Sequence, residues 1–357
     1  MSYCLEKERV EFLMQKLLSV AIPCYNSQDY VNRAIESILP GEDRVEIIVV
    51  DDGSTDNTAG VAEEYVKKHP DIVRLVRKEN GGHGDAVMTG LMNASGLYFR
   101  VVDSDDWLDK DSLLKLLDVL EEMRDPEKAA DLVITNYVYE RVKEGRTRPM
   151  NYRKSIPSGR LFGWEEVGKW QAGSYLIMHS ATYRTELARN SGMKLPKHTF
   201  YVDHLFVSYP MLKVEKMYYL DVDLYRYFIG REDQSVNEKV MLSRMDQQLK
   251  VNRIMLYELD VDSITNKAQK EYLYYYTEIV TQASVSFLLR LGTKKDEELM
   301  QSLLDEIQEK RPEYYEWLLQ KPFYRHTVGP IRKLPHWFAY PLYRTCYLIA
   351  RKVFGFN

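Results

Sequence analysis

The chain has 357 residues, 45% hydrophobic and 29% charged, an ordinary globular composition that excludes disorder and collagen-like structure. Its formal net charge of −4 argues against a general nucleic-acid binder. No apolar run approaches the roughly 20 residues of a membrane-spanning helix, and residues 1–10, with Glu6, Lys7, Glu8 and Arg9, lack the apolar core of a signal peptide.

Cys4, Cys24 and Cys346 are far apart and form no zinc or Cys-x-x-Cys spacing. Their odd number fits a reducing cytoplasm. Charge is uneven. Residues 321–357 hold seven Lys or Arg and no Asp or Glu, so this tail is +7, while the other residues carry 42 basic against 53 acidic groups, or −11. Sign asymmetry of this kind suggests separate jobs for the segments.

In chain order, residues 4–16 read as a short amphipathic helix. Residues 17–23 form a buried strand, and 27–39 a helix with Tyr30, Val31, Ala34, Ile35 and Ile38 at helical spacing. Residues 45–50 are a second strand, and Asp51-Asp52-Gly53-Ser54 a turn before a helix ending near Lys68. A third strand covers 72–77. Gly81-Gly82-His83-Gly84 precedes a helix over 85–94, and a strand follows over 97–102. Alternating strands and helices imply an α/β fold with crossover connections. A further strand is expected over 131–139, a long loop or hairpin over 140–165, and a strand over 222–228. From about Val240 the pattern is helical, strongly so over 264–291 and 293–309. The expected organisation is an N-terminal helix (1–16), an α/β domain (17–235), a helical domain (236–320) and a basic aromatic tail (321–357).

In open α/β sheets, ligands bind at the carboxyl ends of the strands. Three candidate loops fall there: Pro23-Cys24-Tyr25-Asn26, Asp51-Asp52-Gly53-Ser54 and Asp103-Ser104-Asp105-Asp106. Carboxylates on adjacent strand ends repel one another unless a cation compensates, and a divalent metal with oxygen ligands does this. A lone Asp-x-Asp is more often a solvated turn or helix cap, and Asp-Asp-Gly-Ser alone is a good turn-plus-cap sequence. Their joint occurrence, each after a buried strand, is much more specific.

Residues 19–26, 49–56 and 102–106 together resemble the family 2 glycosyltransferases. The resemblance implies a GT-A fold, a Rossmann-like mixed sheet sandwiched by helices, here with a C-terminal helical appendage. It also implies a nucleotide-sugar donor, Mn²⁺ or Mg²⁺, and inversion at the anomeric centre. Residue by residue, it places Pro23, Tyr25 and Asn26 at the nucleotide pocket and Asp52, with Asp51 beside it, at the uracil edge. Asp103 and Ser104 fall near the ribose or metal shell, and Asp105, with Asp103, at the metal. The Gly-rich loop would be donor-side, with Gly82 letting backbone approach and His83 touching phosphate or sugar; a plain Gly-rich turn is the alternative. The family's Glu-Asp pair is matched by Val202-Asp203, which leaves Asp203 as the base; a helix cap is the alternative. Arg231 would meet the diphosphate from a closing loop, against a surface ion pair. The processive Gln-x-x-Arg-Trp motif is absent.

The tail, read as a helix over 341–354, is basic on one side and aromatic-apolar on the other, which suits an anionic membrane surface; packing on the acidic body is the alternative. The reading is thus a single-sugar, inverting, metal-dependent transferase. It uses a nucleotide-sugar donor, UDP-linked by preference, and a glycan or lipid-linked acceptor in bacterial surface-polysaccharide assembly. It would be cytoplasmic and peripheral to the membrane, a homodimer through its tyrosine-rich stretch (272–276) being one arrangement, with no nucleic acid. A non-catalytic binding scaffold and a nucleotidyltransferase are the rivals.

Overall fold

The structure is a computed structural model, which describes residues 15–171, 173–229 and 238–332, together with 334, 337, 338, 341, 343 and 345. The expected helix over 4–16 lies almost wholly outside these residues. The chain divides into two compact units, Met1–Gln234 and Ser235–Asn357.

The first unit is built on one mixed sheet. Its strands are β1 (Leu18–Cys24), β2 (Val45–Asp51), β3 (Val73–Arg77), β4 (Tyr98–Val101), β5 (Trp107–Leu108), β6 (Leu132–Arg141), β7 (Arg146–Met150), β8 (Leu161–Phe162), β9 (Ala181–Arg184) and β10 (Met217–Phe228). The order is β3-β2-β1-β4-β9-β6-β10-β5, with β7 on β6 and β8 on β10. β3, β2, β1 and β4 run parallel, β9 is antiparallel to both β4 and β6, and β10 is parallel to β6. β1 and β2 are buried at every position, as strands covered on both faces must be.

The helices of this unit are α1 (Val31–Ile38), α2 (Thr58–Lys68), α3 (His83–Asn93), α4 (Lys110–Glu122), α5 (Thr185–Arg189) and α6 (Asp203–Met211). α1 buries Val31, Ala34, Ile35 and Ile38, one stripe at helical spacing. α3 lies close on β1, since a Cβ at Gly90 would stand 2.5 Å from the Ala21 Cβ. α4 is an addition to the sequence reading, although its signals are plain. Asp109 caps it by accepting the Ser112 amide at 3.0 Å, and Leu113, Leu116, Leu117 and Leu120 are buried at 3–4 residue spacing. The expected strand over 222–228 is the end of a longer one, β10, which starts at Met217 and carries register shifts between Leu220 and Tyr225. The segment after β6 is a hairpin, closed by β7.

The second unit is helical: α7 (Glu238–Ser243), α8 (Met245–Tyr257), α9 (Lys267–Leu291), α10 (Lys294–Lys310) and α11 (Pro312–Leu319), followed by short turns. Tyr272, Tyr274 and Tyr276 are core residues; Tyr272 stacks on Tyr276 at 6.2 Å, and Tyr274 meets Tyr314 edge-on. At the start of the basic tail, Arg332 donates to Asp305, Gln301 and Tyr315, and the Lys321 Nζ lies 3.5 Å from the Trp317 ring centre. These two cations pack on their own unit. Trp337 and Phe338 are exposed, and the expected apolar face of Leu342, Cys346, Ile349, Ala350 and Val353 lies outside the described residues. Among the described residues, no helix is long and apolar enough to cross a membrane.

Glu278 on α9 is only 6% exposed, and burial pushes its carboxyl up to about 7, with Lys321 pulling the other way. A carboxyl whose pKa rises on folding holds its proton more tightly in the folded state. Stability therefore falls as pH rises from the unfolded value through about 7. Glu278→Gln is expected to raise the melting temperature at pH 8, by the equivalent of about 3 kcal/mol, and to change it little at pH 4. Calorimetric melts at the two pH values check this.

Candidate active site

The carboxyl ends of β1, β2 and β4 converge, and the loops that follow them are stitched together. After β1, Asn26 takes a left-handed conformation (φ 50°). Its amide donates to Ser54 Oγ at 3.0 Å, and its side-chain oxygen accepts the Thr55 amide at 2.8 Å. Ser27 Oγ lies 2.8 Å from Ser104 Oγ, which ties the first loop to the acidic turn after β4. Pro23 is buried beneath this junction, and Tyr25 stands exposed beside it.

Asp51 and Asp52 are both buried. Asp51 accepts the Ser54 amide at 3.0 Å and faces Arg77 at 3.6 Å. Asp52 reaches across to the Gly-rich loop: its carboxylate accepts the Gly81 amide at 2.9 Å, the Gly82 amide at 2.7 Å and Lys78 Nζ at 2.6 Å. The anion that a glycine-rich helix start attracts is therefore supplied at these two amides by the chain's own Asp52. Burial would lower the Lys78 ammonium, but Asp52 and Asp85 outweigh it and hold its pKa above the ordinary value.

Gly82 has φ 86° and ψ 170°, a region open to little besides glycine. A Cβ there would stand 2.9 Å from the His198 amide nitrogen, and that amide donates to Gly81 O at 2.8 Å. The loop is thus clipped to the segment that leads to α6. Gly82→Ala is expected to strain this clip and lower stability by about 1–3 kcal/mol. A thermal melt of the variant beside the native chain measures the loss.

His83 follows, with Nε2 2.9 Å from Asp103 Oδ1. Burial would lower this imidazole, but Asp103, then Asp203 and Asp105, outweigh it and hold its pKa above the ordinary value. Burial would raise Asp103, and His83 holds it below the usual carboxylate range. Asp106 is the opposite case. It is fully buried, and burial, then Asp105 and Asp103, push its carboxyl well above the usual range. Tyr225 Oη bridges the turn, accepting the Asp103 amide at 3.1 Å and donating to Asp106 at 2.6 Å; the Phe228 amide also donates to Asp106. Asp105 is half-buried, and its backbone oxygen accepts from Arg33, which stacks on Trp107.

Asp203 is the first residue of α6. Its charge acts on His83, His179 and Tyr227, which places it in the same electrostatic cluster as the acidic turn. Val202, at the position of the family's Glu, is buried, and its Cγ2 lies 3.2 Å from where a Cβ on Gly84 would be. Arg231 lies outside the described residues.

Two site residues were not singled out in the sequence. His179, just before β9, is buried and stacks on Tyr225 at 4.3 Å, with Tyr227 at 4.6 Å. Burial lowers its pKa, with Asp103 and Asp203 opposing. Arg100 on β4 is fully buried; it donates to Thr182 and to the His179 carbonyl, and its Nε has no hydrogen-bond partner. One ligand atom each from Asp103, Asp106 and His179 lie within 4.8 Å of one another, and His179 Nδ1 is a buried nitrogen without a partner. Two carboxylates and an imidazole so placed fit a divalent cation. Asp105, expected as the metal acid, is not in that group.

Residues 19–186 match the family described as Glycosyl transferase family 2. Among curated proteins, Glycosyltransferase GlyA of Streptococcus pneumoniae is 34% identical over 134 residues, 37% of this chain and 18% of that protein. GlyG of the same organism is 37% identical over 126 residues, 35% of this chain and 40% of that protein. Chondroitin synthase of Escherichia coli is 32% identical over 164 residues, 44% of this chain and 23% of that protein. The matched segment thus spans less than half the length of each of these relatives. Among solved structures, S. aureus TarS 1-349 in complex with UDP-GlcNAc aligns with a TM-score of 0.51 at 20% identity, over 76% of this chain and 86% of that one. This likeness shows the fold, which is GT-A with a C-terminal helical region.

Proposed function

Residues 19–186 belong to glycosyl transferase family 2, and from that premise we propose that the chain is an inverting, metal-dependent glycosyltransferase. It moves one sugar from a nucleotide-sugar, UDP-linked by preference, to a glycan or lipid-linked acceptor in bacterial surface-polysaccharide synthesis. The observation that carries this reading is the gathering of Asp103, Asp105, Asp106, His83 and Asp203 in one electrostatic cluster at the strand ends of a GT-A sheet. UDP-GlcNAc in the TarS complex supports the donor class.

Pro23, Tyr25 and Asn26 line the nucleotide side, with Asp51 and Asp52 behind them. Asp52 does this partly at one remove, by fixing the loop that carries His83. His83 pairs with Asp103, which holds its imidazole pKa above the ordinary value and keeps the ring beside the acidic cleft. Asp203 takes the proton from the acceptor hydroxyl as that oxygen attacks the anomeric carbon and the nucleoside diphosphate leaves. Asp103, with Asp105 or Asp106, would hold the metal, which when bound neutralises charge on the departing diphosphate. The exposed Trp337 and Phe338 beside a basic tail support peripheral attachment to an anionic membrane.

Calorimetric titration of UDP, GDP and dTDP with and without Mn²⁺ tests the donor class. Metal-dependent UDP binding is expected, and no binding of any nucleotide would overturn the reading. Donor binding without turnover across a broad acceptor panel would move the chain to a binding scaffold. Pyrophosphate release from a nucleoside triphosphate would make it a nucleotidyltransferase.

A further inference from the structure

We propose that His179 is a nitrogen ligand of the divalent metal, completing a site with Asp103 and Asp106, and that it biases the site toward first-row ions over Mg²⁺. The inference rests on the metal-dependent reading above.

The geometry is specific. His179 is only 7% exposed, and its Nδ1 has no hydrogen-bond partner. A buried polar nitrogen left unmatched is costly, on the order of 1–3 kcal/mol of desolvation, and a ligand that accepts its lone pair removes that cost. The ring is held from several sides: Tyr225 stacks on it at 21°, Tyr227 and Tyr137 close around it, and Arg100 grips its carbonyl. Ser180, the next residue, is pinned by Tyr152 Oη at 2.6 Å. Rings fixed in this way are what a metal-ligating histidine needs. The carboxylates that share its space come from another part of the chain, the turn after β4, where Tyr225 fixes both Asp103 and Asp106. Tyr225 therefore organises all three groups at once. An imidazole in the ligand set favours ions of borderline softness, whereas Mg²⁺ prefers oxygen and water.

The test uses the full chain, Mn²⁺ as the probe metal and UDP to fill the nucleotide side. Pulsed electron paramagnetic resonance of bound Mn²⁺ is expected to show a directly coordinated nitrogen that disappears in His179→Gln and persists in His83→Gln. The Mn²⁺ dissociation constant should rise about tenfold or more in His179→Gln, with little change for Mg²⁺. The wild-type spectrum stands even if the variant fails to fold. Bound UDP and Mn²⁺ with no coordinated nitrogen, or a nitrogen lost only in His83→Gln, would overturn this inference and leave the transferase reading intact. Failure of UDP itself to bind would overturn the transferase reading with it.

Discussion

Asp203→Asn is expected to lower the rate of sugar transfer by about 10²–10⁴, the usual contribution of a positioned general base, while leaving donor binding unchanged. The amide keeps the shape of the carboxylate but cannot take a proton. Asp203 is placed by an unusual stretch of backbone. His198 and Tyr201 both have left-handed φ, 49° and 65°, and the His198 amide is bound to Gly81 of the loop that carries His83. The proposed base is thereby tied through its leading segment to the Gly-rich loop that carries His83. Val202 beside it is buried packing and offers no ionisable group. Steady-state kinetics with donor and acceptor varied separately measure the effect. A fall confined to turnover supports the role; full turnover would remove Asp203 as the base.

The second large effect is expected at Asp103. Asp103→Ala removes a carboxylate that both pairs with His83 and belongs to the Asp103–Asp106–His179 group. Metal affinity is expected to fall by more than about 100-fold, beyond the loss seen when outer-shell partners are removed, and turnover with it. Asp105→Ala is expected to do less to metal affinity, because Asp105 is outside that group, although its charge acts on His83 and Asp106. Mn²⁺ titration of the two variants measures the order. A larger loss at Asp105 would return the metal to the position that the family resemblance implies.

Much of this arrangement is legible in the sequence, for identifiable reasons. β1 and β2 are apolar apart from Ser19 and Glu46 and end in polar turns, and both the strands and the loops at their ends follow from that pattern. α4 is equally legible, with its Asp109 cap and leucine spacing, and lies just past the acidic turn. Other features have no local signal. His179 sits in Met-His-Ser, a short turn with no ligand spacing, and its partners Asp103 and Asp106 lie more than 70 residues away in the turn after β4. Arg100 lies in an apolar strand with no local sign of its partners, and the fold buries it against the His179 carbonyl and the Tyr225 ring. Asp52 carries the family's motif, but only the fold shows its carboxylate bound to the Gly81 and Gly82 amides. Long-range pairing of this kind depends on sheet order, which a linear pattern does not state.

The most direct test of the central claim is nucleotide release from a panel of UDP-, GDP- and dTDP-sugars, with Mn²⁺ or EDTA, beside Asp103→Ala and with glycan acceptors present. The proposed function predicts UDP release from one sugar that needs the metal and is lost in the variant. Release that is indifferent to EDTA and to Asp103→Ala, or no release together with no nucleotide binding, would contradict it.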